Sequence, residues 1–270
     1  MSRRITDCFE VAKANGRKVL VPFVTAGDPD PAWTVGIMHA LVEGGADLIE
    51  LGVPFSDPMA DGPVIQVASE RAIEKGVTLS TVLDTVAEFR KDDDVTPVVL
   101  MGYMNPLERF GHLEFARAAT AAGVDGLLLV DCPPEECGEL DSAMRETGLD
   151  GIHLVAPTTT PDRIRKIAAS ASGFIYYVSL KGITGAGLQD FGELRAPIAQ
   201  IRASSDLPVA VGFGIKTPEM AAAAAAHADA VVVGSALVEL LAGAGSSEQA
   251  CSTAGAFVAR LRESLDNMAA

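Results

Sequence analysis

Eight short runs of the chain are apolar at almost every position, and they constrain the fold more than any other feature. They are VLVPFVT from Val19, DLIELGVP from Asp47, PVVLMGY from Pro97, GLLLVD from Gly126, GIHLVAP from Gly151, FIYYVS from Phe174, PVAVGFG from Pro208 and DAVVVGS from Asp229. A strand with one face in water alternates apolar and polar residues. A strand covered on both faces does not, and that is the condition of a parallel sheet flanked by helices. Between the runs, segments 31–44, 79–91, 112–122, 134–147, 161–171 and 218–226 place apolar residues three or four apart among helix formers. Strand and helix alternating to a count of eight predict an α/β fold, a (β/α)8 TIM barrel spanning residues 1–270 as one domain. An open doubly wound sheet shares the alternation, but strand number and length favour the closed form.

Some details lie outside the repeat. Residues 2–15 read as an extra amphipathic N-terminal helix, and Phe257, Val258, Leu261 and Leu265 mark a closing helix after a loop at 243–247. Pro22 stands inside the first run, where its missing N–H predicts a local irregularity.

Composition then narrows the function. A net charge of -15 argues against a nucleic acid partner, since phosphate backbones are held mainly by Lys and Arg. Residues 1–18 offer no apolar stretch for an export signal, and later apolar runs such as AVVVGSALVELLAG are broken by Gly, Ser and Glu. A soluble, cytoplasmic protein without a membrane span is expected. Cys8, Cys132, Cys137 and Cys251 are scattered with no CxxC pair and no His at ligand spacing, so neither a disulfide framework nor a metal site is predicted, and buried free thiols are expected. His39, His112, His153 and His227 form no cluster and are read as satisfied or exposed.

Chain length points to one face of the barrel. About 50 residues separate the starts of the second and third runs, and the surplus, Phe55 to Lys75, follows the second strand directly. A Gly-rich insertion, KGITGAGLQD, follows the sixth. Both leave the carboxyl ends of their strands, where barrel active sites are built and where long loops act as lids.

Glu50 lies inside the apolar run DLIELG, where burial disfavours its charged form and moves its pKa toward the range useful for proton transfer. A structural Glu there would need a basic partner, and none lies nearby in sequence. Asp61 follows on a loop held by Pro54, Pro58, Gly62 and Pro63, which can fold it back over the strand end. Asp57 reads more simply as turn chemistry in Ser-Asp-Pro. Glycines after the last strands, Gly185, Gly214, and Gly234 with Ser235, suggest a phosphate site. Their backbone can approach phosphate oxygens, and Gly234-Ser235 opens a helical pattern whose amino terminus attracts anions. GFG lacks the spacing of a dinucleotide fingerprint.

The stretch ELGVPFSDPMADGP closely resembles the signature of the tryptophan synthase alpha subunit family. PFVTAGDP, MGYMNP, GITGAG, GFGI and VGSA are similar to that family's other landmarks, in its order, so the resemblance covers essentially the whole chain. It implies retro-aldol cleavage of indole-3-glycerol phosphate to indole and glyceraldehyde 3-phosphate. It implies Glu50 as proton shuttle, Asp61 as the anion at the indole nitrogen, and Tyr176 as an assisting hydroxyl. Tyr177 is its neighbour, and alternation sends one of the two to packing. By the same resemblance Phe23 and Met101 line the indole pocket, and Thr184 belongs to the substrate site. Pro54, Asp57, Asn105 and Pro106 would face a partner beta subunit in an alpha2beta2 assembly. No cofactor is expected in this chain; pyridoxal phosphate is expected in the beta subunit.

Two rival readings remain at the level of sequence. Lys181 near the sixth strand suits a Schiff-base aldolase, which borohydride trapping of a substrate adduct would reveal. Alternatively, a catalytically weak barrel would serve chiefly to activate its partner, a role against which the intact Glu50 and Asp61 argue.

Overall fold

Each apolar run folds into a parallel strand: β1 (Val19–Thr25), β2 (Ile49–Gly52), β3 (Val98–Gly102), β4 (Gly126–Leu129), β5 (Asp150–Val155), β6 (Ile175–Val178), β7 (Val209–Gly212) and β8 (Ala230–Val233). The structure is a computed structural model and describes residues 3–178, 188–212 and 214–268. The strands pair in chain order and β8 returns to β1, which closes the barrel and leaves the sheet without an edge.

Alternation along each strand sorts the apolar residues into two layers. Val19, Val21, Val99, Leu128, Ile152 and Tyr176 pack inside the barrel. Leu20, Val24, Leu51, Leu100, Tyr177 and Val211 pack outward beneath the helices. Both faces are dry, which is why the runs carry no polar alternation.

The barrel helices are α2 (Thr34–Glu43), α3 (Pro63–Glu74), α4 (Leu79–Phe89), α5 (Met104–Phe110), α6 (His112–Ala122), α7 (Gly138–Thr147), α8 (Pro161–Ser170), α9 (Arg195–Arg202), α10 (Pro218–Ala225), α11 (Ser235–Ala242) and α12 (Ser247–Asp266). Local signals start them. The hydroxyls of Thr78, Thr160, Thr217 and Ser246 accept a backbone N–H from the first turn of α4, α8, α10 and α12. α1 (Arg3–Ala14) precedes β1 and plugs the amino-terminal end, with Ile5 and Phe9 buried in the inner cluster and Arg4 moored to Asp125 at 2.9 Å.

Several expectations need correction. The segment 31–44 divides into a 3-10 turn at Pro31–Trp33 and then α2. Residues 134–137 are not helical, since α7 opens only at Gly138. The surplus after β2 is only partly loop: Pro63 occupies the first helical position of α3, which buries Ala68, Ser69 and Ala72. At Pro22 the strand does not break. Pairing passes there from β8, which takes Val19 to Pro22, to β2, which takes Phe23 to Thr25.

The cysteines depart furthest from expectation. Cys132 and Cys137 form a disulfide, because the loop after β4 folds back and brings their Cα atoms to 6.0 Å, within the span that such a bond requires. Cys8 and Cys251 are free but only half-buried. Burial and the neighbouring Asp47 push the Cys8 thiol up to about 12, out of reach of thiolate chemistry. Two histidines also differ from the reading above. His39 packs against Phe89 with ring centroids 4.7 Å apart, and His153 is buried on β5; the Nε2 of each is enclosed without a hydrogen-bond partner among the described residues.

Candidate active site

Glu50 is set by strand alternation. It pairs with Phe23 of β1 and Val99 of β3, and shares their inward face. Its side chain is 2% exposed, and Oε1 has no hydrogen-bond partner among the described residues. Burial, with a smaller contribution from the charge of Asp61, raises its pKa from 4.5 to about 8. Buried, and without a basic partner among the described residues, the carboxyl stays protonated at neutral pH and is therefore a proton donor whose conjugate base is within chemical reach.

Asp61 approaches from above. The β2 loop turns back through backbone hydrogen bonds from Met59 to Asp57 and from Asp61 to Pro58, then enters α3 at Pro63. Tyr103, just after β3, fixes the loop with one hydroxyl. It accepts the Ala60 N–H at 3.0 Å and donates to Asp61 Oδ2 at 3.1 Å. Gln66 of α3 donates to the Asp61 carbonyl at 2.8 Å. Burial raises the Asp61 pKa and the Tyr103 hydrogen bond opposes the rise. The loop after β1 is tied to the same helix, for Arg71 of α3 makes two hydrogen bonds, 2.6 and 2.9 Å, to the buried Asp28.

Tyr176 lies inside the barrel and Tyr177 packs outward, as alternation requires. Burial, followed by the charge of Glu50, holds the Tyr176 hydroxyl well above its usual pKa, so it is a neutral donor. Gly212 of β7 makes room for it: a Cβ there would stand 2.0 Å from the Tyr176 oxygen. Phe23, with Ala68 and Val238, forms a small apolar cluster against which Met101 packs.

At the far side of the same face, Gly214 takes φ +79, a left-handed conformation that a side chain would strain. Gly234 precedes α11, whose first turn has no side-chain cap, and a Cβ on it would sit 3.4 Å from Phe23. Gly234 and the Phe23 ring are thus neighbours. Lys181, Thr184 and Gly185 lie outside the described residues. Pro54 is buried at the end of β2, whereas Asp57 on the β2 loop and Asn105 on α5 are exposed; Pro106 follows at intermediate exposure.

Sequence reasoning missed Tyr103, although a signal existed, since it stands two residues beyond Met101 on the inward side. It also missed Thr25 and Ser69. These two join Phe23, Met101, Tyr103 and Asp61 around a cavity of about 10 Å³ at the carboxyl ends of β1 to β3. No group of acidic, His and Cys side chains among the described residues is arranged to hold a metal ion. No helix among them is long and apolar enough to cross a membrane.

Known proteins place this geometry. The family model for the tryptophan synthase alpha chain matches residues 9–266. The tryptophan synthase alpha chain of Burkholderia pseudomallei (strain 1106a) is 58% identical over 266 residues, 98% of each chain. That of Chromobacterium violaceum is 61% identical over 236 residues, covering 87% of this chain and 89% of its own. The crystal structure of tryptophan synthase subunit alpha from Legionella pneumophila str. Paris superposes with a TM-score of 0.90 at 47% identity, covering 99% of both chains. With a match that spans the barrel from α1 to α12 at these identities, the chain belongs to the tryptophan synthase alpha chain family.

Proposed function

We propose that this chain is the alpha subunit of tryptophan synthase, a carbon–carbon lyase that cleaves indole-3-glycerol phosphate to indole and glyceraldehyde 3-phosphate. The observation that carries the reading is the Glu50 carboxyl, buried without a basic partner among the described residues and still protonated near neutral pH, within the field of Asp61. Glu50 gives its proton to indole C3, and the ring nitrogen takes on positive charge. The Asp61 carboxylate accepts the indole N–H hydrogen bond and stabilises that charge as it develops. Glu50, now a carboxylate, removes the proton of the adjacent hydroxyl. The aldehyde carbonyl forms, the carbon–carbon bond breaks, and its electron pair returns to the ring, which releases neutral indole. Tyr176 supports the proton transfers from the opposite wall.

Phe23 and Met101 take the indole ring. Thr184 and the backbone at Gly185, Gly214, Gly234 and Ser235 take the glycerol phosphate, with the first turn of α11 offering N–H groups to the anion. The chain works as one domain in the cytoplasm, without a cofactor of its own. Pro54, Asp57, Asn105 and Pro106 meet a beta subunit carrying pyridoxal phosphate, in an alpha2beta2 assembly, and indole passes to it directly.

The test is indole release from indole-3-glycerol phosphate by wild type, Glu50→Gln and Asp61→Asn, with and without a beta subunit. Both variants should lose about 10² to 10⁴ of kcat, the range for a proton-transfer group or a charge-stabilising one. Full activity in Glu50→Gln would leave only a partner-activating role.

A further inference from the structure

We propose that the cavity walled by Thr25, Ser69 and Asp61 is a built site for one water molecule, which hydrogen-bonds the Asp61 carboxylate and makes Thr25 a positioning residue for the reaction. The inference rests on the role given to Asp61 above. Thr25 ends β1 on its inward side and is 2% exposed, yet its Oγ1 has no hydrogen-bond partner among the described residues. A buried hydroxyl left so bears the cost of its lost hydration, which a water would recover. The cavity it lines measures about 10 Å³. One water needs about 10–15 Å³ by that measure and two to four polar partners. The walls supply three: Thr25, Ser69 on α3, 4% exposed, and Asp61. Phe23, Val53, Ile65 and Met101 add apolar surface, and the Tyr103 hydroxyl, already bonded to Asp61, borders the cavity as well.

Among the described residues, the charged and titratable groups that face Asp61 are Glu50 from β2 and Tyr103 from the end of β3. α3 presents the neutral Gln66 and Ser69. Glu50 is protonated at neutral pH, so Tyr103 is the donor that opposes desolvation of the Asp61 anion. A water anchored by Thr25 adds a second donor to the same carboxylate. It thereby keeps Asp61 ionised and aligned while the β2 loop closes over the ring.

Thr25→Val conserves shape and removes the anchor, whereas Thr25→Ser retains it. The experiment follows kcat/KM for indole release against pH, and locates waters in high-resolution crystal structures of wild type and Thr25→Val. The acid limb, which reports Asp61, should move up in Thr25→Val, costing about three- to tenfold on that limb and little on the plateau above it. Thr25→Ser should retain the wild-type limb, and the water should be present in wild type and absent in Thr25→Val. A structural role alone would lower activity by the same factor at every pH. If Thr25→Val does not fold, Ser69→Ala must show the same upward movement. A dry cavity in the wild-type crystal, or an acid limb unmoved in the variants, overturns the proposal. Wild-type protein that releases no indole yet holds the water refutes the functional reading instead.

Discussion

In Glu50→Gln the side chain keeps its size but can no longer ionise, and that change should appear in stability as well as in catalysis. Below pH 4.5 the wild-type carboxyl is neutral in both folded and unfolded chains, and burial costs nothing through ionisation. As pH rises from 4.5 toward about 8 the unfolded chain releases the proton and the folded one retains it. Each pH unit across that window then removes about 1.4 kcal/mol from folding. The whole interval comes to a ceiling of about 5 kcal/mol, a large part of the roughly 5–15 kcal/mol by which domains are stable. Gln escapes this cost. The variant should therefore gain on wild type by about 3–5 kcal/mol between pH 5 and 8.5, with Asp61 titrating in both and largely cancelling. Urea denaturation at half-unit pH steps measures it. In parallel, kcat/KM of wild type should fall on an alkaline limb near pH 8, as Glu50 loses the proton that starts the reaction. A stability difference that stays flat from pH 5 to 8.5 would refute the argument that burial without a partner keeps this carboxyl protonated.

Two further predictions concern packing around the site. Gly212→Ala drives a methyl into the Tyr176 hydroxyl, 2.0 Å away, so it should cost about 1–3 kcal/mol of stability and lower kcat. Tyr176→Phe in the same chain should return part of that stability in a thermal melt, and a fully additive double variant would show that the two do not collide. Arg71→Ala leaves the buried Asp28 carboxylate unpaired and should cost about 2–4 kcal/mol in urea denaturation. Arg71→Lys should recover only part, because an ammonium cannot make both hydrogen bonds.

The sequence alone determined much of this protein, because its signals are local. Continuous apolar runs report strands dry on both faces, and Pro161 and Pro218 just after Thr160 and Thr217 report where helices begin. Glu50 was legible for the same reason: a charge within an apolar run is an anomaly visible to its own neighbours. Signals that cross the chain were not legible. The register in which β8 meets β1, the 42-residue step from Asp61 to the Tyr103 hydroxyl, and the approach of Cys132 to Cys137 depend on how distant segments meet in space. Asp61 shows the division most plainly. Its loop and its acidity could be read from SDPMADGP, but its partners could not. Tyr103, Gln66 and the cavity beneath Thr25 and Ser69 come from three strands and a helix that only the closed barrel brings together, and hydrogen bonds and desolvation act through space rather than along the chain.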